Sequence, residues 1–124
     1  MKKKRILVID DEADFTKLLK LNFDLTGQYE VRTENNGLLG VAAAKAFKPD
    51  LILLDIAMSN MDGYEIAFGI RNDKALKNIS IIFMTGKELD SKGLQERVAK
   101  LGAYDYINKP CDFQAILAKI KETV

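Results

Sequence analysis

The chain has no histidine and a single cysteine, Cys111, among its 124 residues. Without imidazole there is no Ser/His/Asp or Cys/His nucleophile, no histidine-ligated zinc and no phosphohistidine of its own to donate. One cysteine excludes an internal disulfide framework and a multi-cysteine metal site. An excess of either charge is also missing. Lys and Arg total 19 against 18 Asp and Glu, a net charge of +1, which argues against direct, electrostatic binding of nucleic acid. Long apolar runs are absent as well, and nothing approaches the roughly 18 residues of a membrane span. Lys2, Lys3, Lys4 and Arg5 precede the apolar run Ile6-Leu7-Val8-Ile9, but that run ends at Asp10, short of the roughly 7–15 residues of a signal-peptide core. The expectation is a cytoplasmic protein without membrane insertion, a compartment in which a lone reduced thiol is at home. The basic cluster reads as a solvated lead-in to a strand.

What is present is the composition of a globular domain, 48% hydrophobic and 30% charged, and residues 1–124 fit one domain. Ile6–Ile9, Leu51–Leu54 and Ile81–Met84 are continuous apolar runs, the pattern of strands covered on both faces. Tyr29-Glu30-Val31-Arg32 alternates and Tyr104-Asp105-Tyr106-Ile107 is mixed, so both read as edge strands. Helical spacing lies between them. Phe113, Ile116, Leu117 and Ile120 form one apolar face and Leu94, Val98 and Leu101 another. Phe15, Leu18 and Leu19 begin a third, Leu39, Ala42, Ala43 and Ala46 a fourth, and Ile66, Ala67 and Ile70 a fifth. Gly27 and Gly102 stand where helices should stop, and Pro49 closely follows the second helix. Five βα units in alternation predict an α/β fold, a five-stranded parallel sheet with helices on both faces. Three interior and two edge strands with right-handed crossovers give the order 2-1-3-4-5, the flavodoxin-like doubly wound (βα)5 arrangement.

In this winding, ligands bind beyond the carboxyl ends of the strands, near the switch point between strands 1 and 3. Strand 1 ends in Asp10-Asp11-Glu12, strand 3 in Asp55 and strand 4 in Thr85-Gly86, while strand 5 leads into Lys109-Pro110. Like charges about 4 Å apart repel by about 4 kcal/mol per pair at an effective dielectric near 20. Such a cluster calls for raised carboxyl pKa values or a bound cation. Hard oxygen donors suit Mg²⁺, with Mn²⁺ as a substitute, and leave room for phosphate oxygens. A lysine facing the cluster would pair with a carboxylate at rest and with a phosphoryl oxygen when one arrives.

With these residues assembled, the chain resembles the receiver domain of two-component response regulators. The resemblance is carried by Ile6–Glu12, by Asp50–Asp55 with Met58, Met61, Asp62 and Gly63, by Ile81–Gly86, and by Gly102–Pro110. It implies a phosphoacceptor switch rather than an enzyme in its own right. Asp55 would take a phosphoryl group from a sensor histidine kinase or a histidine phosphotransfer protein. Asp10, Asp11, Asp55 and the main-chain carbonyl of Ala57 would hold Mg²⁺, Asp10 mainly through a bound water. Lys109 would hold a phosphoryl oxygen, and the Lys109–Pro110 peptide would be cis. Thr85 would move to the phosphoryl group and Tyr106 would swing inward. The change would reach the face of the fourth helix, fifth strand and fifth helix, altering binding to a downstream protein. In one large subfamily that face dimerises through a charged network ending in an arginine of the fifth helix. Lys119 stands near that place, and the expectation is a monomer or a weak, phosphorylation-dependent dimer.

Two positions depart from the family pattern. Ser59 follows Met58 where proline is usual, and Cys111 follows Lys-Pro where phenylalanine is common. Neither is a proposed ligand. Lys87 and Ala57 occupy positions that tune acyl-phosphate lifetime in the family. Three other readings compete. A Mg²⁺-dependent aspartyl phosphatase or phosphotransferase would want an Asp-x-Asp pair after strand 1, which Asp10-Asp11-Glu12-Ala13-Asp14 does not supply. A flavin carrier of the same winding would want a Ser/Thr/Gly-rich phosphate loop where this chain has acids. A degenerate receiver that only docks partners would lack some of the core site residues. The start at Met1 and the end without a linker favour a stand-alone receiver over one cut from a longer regulator.

Overall fold

The computed structural model describes residues 2–56, 58, 62–85, 105–109 and 112–124. Their elements are β1 (Lys4–Ile9), α1 (Ala13–Thr26), β2 (Tyr29–Glu34), a 3-10 turn (Gly37–Leu39), α2 (Gly40–Phe47), β3 (Leu51–Asp55), α3 (Gly63–Arg71), β4 (Ser80–Thr85), β5 (Asp105–Asn108) and α4 (Phe113–Thr123). The α4 helix is the fifth one expected from the sequence. The expected helix carrying Leu94, Val98 and Leu101, with its stop at Gly102, lies outside the described residues.

The strands form one sheet in the order β2-β1-β3-β4-β5, and every neighbouring pair is parallel. This is the predicted 2-1-3-4-5 winding. The apolar runs explain it. On β1, Leu7 and Ile9 pack into a core with Ala43, Ala44 and Phe47 of α2 and Ile66, Ala67 and Ile70 of α3. Ile6 and Val8 point the other way, to Leu19 and Phe23 of α1 and Ile116 and Ile120 of α4. Alternate side chains feed opposite cores, so every residue of such a strand must be apolar. Phe23 ties the second core together, meeting the rings of Tyr29 at 5.3 Å and Phe113 at 4.9 Å edge-on.

Two helix faces differ from the sequence reading. On α1 the buried residues are Thr16, Leu19 and Phe23, while Leu18 is 59% exposed. On α2 they are Gly40, Ala43, Ala44 and Phe47, whereas Leu39, Ala42 and Ala46 face solvent. Phe47 decides the rotation of α2, because the bulky ring gains far more from burial than an alanine does. The expected stops at Gly27 and before Pro49 stand. Gly27 ends α1 in the left-handed region at φ 69°, its N–H bonded to the Asp24 carbonyl. The residue before Pro49, Lys48, closes α2.

Register brings the strand ends together. Ile9 lies opposite both Glu34 and Leu54, so one step further along the chain sets Asp10 beside Asp55. Asp55 in turn lies opposite Met84, and Thr85 opposite Asn108, which sets Lys109 at the same edge of the sheet.

Candidate functional site

Asp10 is completely buried, and every polar atom of it has a partner. Its N–H donates to the Glu34 carbonyl at 3.1 Å, and its own carbonyl accepts from Asn35 Nδ2 at 2.8 Å. Oδ1 accepts the Glu12 N–H at 3.0 Å, and Oδ2 accepts from Lys109 Nζ at 2.7 Å. A buried carboxylate is tolerated only when paired and hydrogen-bonded in this way. Asn35 also donates to Thr16 Oγ1 at 2.8 Å, which stitches the start of α1 to the end of β2.

Asp55, at the end of β3, is buried, and Asp11 is half-buried. Carboxylate oxygens of Asp10, Asp11 and Asp55 all lie within 4.8 Å of one another. Lys109 Nζ faces this cluster, 3.8 Å from Asp55 Oδ2 and 3.1 Å from Glu12 Oε1, with the Phe15 ring centroid 4.5 Å away. Burial pulls the Lys109 pKa down, but the hydrogen bond to Asp10, the charges of Asp10 and Asp55 and the bond to Glu12 outweigh it. Its ammonium is held above the ordinary lysine value. Among the described residues, three carboxylates face the Lys109 ammonium and leave net negative charge in a small space, and all the donor atoms are hard oxygens. That donor set fits a small divalent cation such as Mg²⁺.

Gly63, the first residue of α3, is bonded back to the end of β3. Its N–H donates to the Ile56 carbonyl at 2.9 Å. A β-carbon at residue 63 would stand 2.7 Å from Ile56 Cα and overlap the Asp55 carbonyl oxygen. Next to it, Asp62 caps α3, Oδ1 accepting the Tyr64 N–H at 2.9 Å. The helix start is thus pressed onto the backbone of Asp55.

Of the residues singled out in the sequence, Asp10, Asp11, Asp55 and Lys109 come together. Thr85 ends β4, one residue beyond the partner of Asp55. Tyr106 lies on β5 opposite Phe83 and is 47% exposed. Ala57, Ser59, Lys87, Pro110 and Cys111 lie outside the described residues. Sequence reasoning gave no site role to Glu12, Phe15 or Asn35. Glu12 was visible beside the acid pair, but nothing in the pattern aims its side chain at a lysine 97 residues away.

Five parallel strands with acids and a lysine at their carboxyl ends define a class, and residues 6–121 match the family described as the response regulator receiver domain. The chain belongs to that family and is a receiver domain. Among its relatives, it is 31% identical over 119 residues to the DNA-binding dual master transcriptional regulator RpaA of Synechocystis sp., covering 94% of this chain and 47% of RpaA. It thus spans about half the length of that relative. It is also 31% identical to protein PilH of Pseudomonas aeruginosa over 116 residues, covering 94% of this chain and 93% of PilH. The chemotaxis protein CheY4 of Vibrio cholerae has the same fold, with a TM-score of 0.90 over 99% of this chain and 100% of CheY4 at 23% identity. No helix among the described residues is long and apolar enough to cross a membrane.

Proposed function

We propose that this receiver domain is a phosphorylation switch in which Asp55 is the phosphoacceptor. The observation that carries the reading is the Lys109 ammonium set against the acid cluster, bonded to Asp10 and Glu12 and standing 3.8 Å from Asp55. A carboxylate oxygen of Asp55 attacks the phosphorus of a phosphohistidine on a sensor kinase or phosphotransfer protein. An O–P bond forms, the P–N bond breaks, and the imidazole nitrogen leaves with the bonding pair and takes up a proton. Lys109 donates to a phosphoryl oxygen and offsets the added negative charge. Asp10, Asp11, Asp55 and the Ala57 carbonyl are the groups that would hold Mg²⁺. When bound, the ion supplies Lewis-acid stabilisation of charge on the phosphoryl oxygens.

Thr85 and Tyr106 are the pair that reads the new charge. The Thr85 hydroxyl donates to the phosphoryl group, and the Tyr106 ring moves in from its exposed position on the edge strand. A local electrostatic change thereby becomes a change of surface at β5 and α4, where a downstream protein binds. The domain works in the cytoplasm, as a monomer or a weak dimer formed on phosphorylation.

Incubation with acetyl phosphate and Mg²⁺ tests the reading. The wild type should gain one phosphoryl group by intact-mass spectrometry, and Asp55→Asn should gain none. Equal labelling of the two proteins would remove Asp55 from its role.

A further inference from the structure

We propose that Glu12 is a positioning residue whose carboxylate latches the Lys109 ammonium at the mouth of the site and competes for it with a phosphoryl group on Asp55. The inference rests on the reading of Asp55 as acceptor and Lys109 as its cation.

Lys109 Nζ makes two short bonds, to Asp10 Oδ2 at 2.7 Å and to Glu12 Oε1 at 3.1 Å, and stands 3.8 Å from Asp55 Oδ2. An ammonium has three N–H donors, and two of them are engaged away from the acceptor. Donation to a phosphoryl oxygen on Asp55 draws on the same small set. The two bonds are unequal: the Asp10 side chain is fully buried, whereas that of Glu12 is 65% exposed. Exposed ion pairs are weak and buried charge-assisted bonds strong. Glu12 is therefore the partner that yields.

The position of Glu12 in α1 supports a dedicated role. It is the N-cap residue, where Ser, Thr, Asp or Asn would accept a helix N–H. Its carboxylate makes no such bond and is turned to Lys109. Its backbone is pinned independently, the N–H on Asp10 Oδ1 and the carbonyl on the Thr16 N–H. Loss of the carboxylate therefore leaves the loop in place.

Glu12→Gln and Glu12→Asp separate a latch from plain repulsion of an anionic donor. Glu12→Gln removes the charge. Glu12→Asp keeps the charge at the mouth but shortens the side chain and lets it cap the helix. With acetyl phosphate and Mg²⁺, Glu12→Gln should label Asp55 about two- to fivefold faster than wild type, the scale of one exposed ion pair, and Glu12→Asp should also be faster. A second readout needs no metal or donor. In metal-free protein, Glu12→Gln should lower the urea midpoint of the wild type and leave that of Lys109→Met unchanged. Unchanged or slower labelling of Glu12→Gln would overturn the latch. So would Glu12→Asp labelling at the wild-type rate, or additive midpoints in the metal-free cycle. If Asp55→Asn labels as well as wild type, the acceptor assignment fails, and the latch falls with it for a different and visible reason.

Discussion

Asp10 and Lys109 are 99 residues apart in the chain and joined by a 2.7 Å hydrogen bond between a fully buried carboxylate and a largely buried ammonium. It ties the end of β1 to the residue that follows β5, with Nζ 3.8 Å from Asp55 Oδ2. It is at once a structural tie and the resting position of the cation in the proposed site.

Removing the lysine should therefore expose the cost of the clustered acids. Lys109→Met leaves Asp10 buried without its cation, and loss of one partner of a buried pair costs about 3 kcal/mol. Urea unfolding in EDTA should show a loss of that order, and millimolar Mg²⁺ should stabilise Lys109→Met more than it stabilises the wild type. Equal stabilisation of both by Mg²⁺ would contradict competition between ammonium and dication for the same carboxylates.

Two glycines of α3 should respond in opposite ways to an added methyl. At Gly63 the new β-carbon meets only backbone, that of Asp55 and Ile56, which cannot turn aside. Gly63→Ala should cost about 2–3 kcal/mol, the scale of overpacking in a filled core, and slow phosphorylation of Asp55. At Gly69 the nearest obstacle is a methyl of Val41 at 3.1 Å, the end of a side chain, and a helix interior favours alanine over glycine by about 1 kcal/mol. Gly69→Ala should be neutral or stabilising. Thermal or urea unfolding of the pair decides the matter, and a Gly63→Ala protein as stable as wild type would refute the close packing of α3 on β3.

The ends of the strands were readable because a strand buried on both faces admits no charged residue until it leaves the sheet. Asp10 and Asp55 mark those exits, and the order of the sheet follows from which strands are wholly apolar. The rotations of α1 and α2 were less legible. Leu18, Leu21 and Leu25 form an exposed stripe on α1, and a leucine on the outside carries the same hydrophobic signal as one inside. Small alanines line both sides of α2, so only Phe47 distinguishes its buried face. Within the site, the acid cluster was visible, but the division of Lys109 among three carboxylates depends on distances that no spacing encodes. The bridge from Asn35 to Asp10 and Thr16 is equally hidden, since it joins residues through a turn rather than a motif.

The acid side of the stability profile should report on a pair far from the site. Asp73 Oδ2 is 2.9 Å from Lys45 Nζ, and its Oδ1 accepts the Ala75 N–H at 2.9 Å. The hydrogen bond from Lys45 is the largest of the effects that hold the Asp73 carboxyl below its ordinary value. A depressed folded-state pKa contributes stability above the unfolded value, about 3.9 for Asp, and loses it as pH falls through the lower folded value. Lys45→Met should therefore be less stable than wild type at neutral pH, with the gap narrowing as the solution is acidified through that range. A gap that stays constant from pH 7 into acid would show that Lys45 acts through packing rather than through Asp73.

The last prediction concerns how the proposed switch reaches the surface. Tyr106 is nearly half exposed on the edge strand β5, and β4, the neighbouring strand, ends in Thr85. If the threonine hydroxyl is the group that tracks the phosphoryl group, phosphate transfer and the tyrosine movement should be separable. Thr85→Ala should still take up label on Asp55, because the nucleophile, the acid cluster and Lys109 are untouched. The Tyr106 ring resonances should shift on addition of beryllofluoride, an acyl-phosphate mimic, in the wild type and stay in place in Thr85→Ala. Matching shifts in the two proteins would mean that Tyr106 senses the site by another route, and failure of Thr85→Ala to label would place the hydroxyl in the transfer step itself.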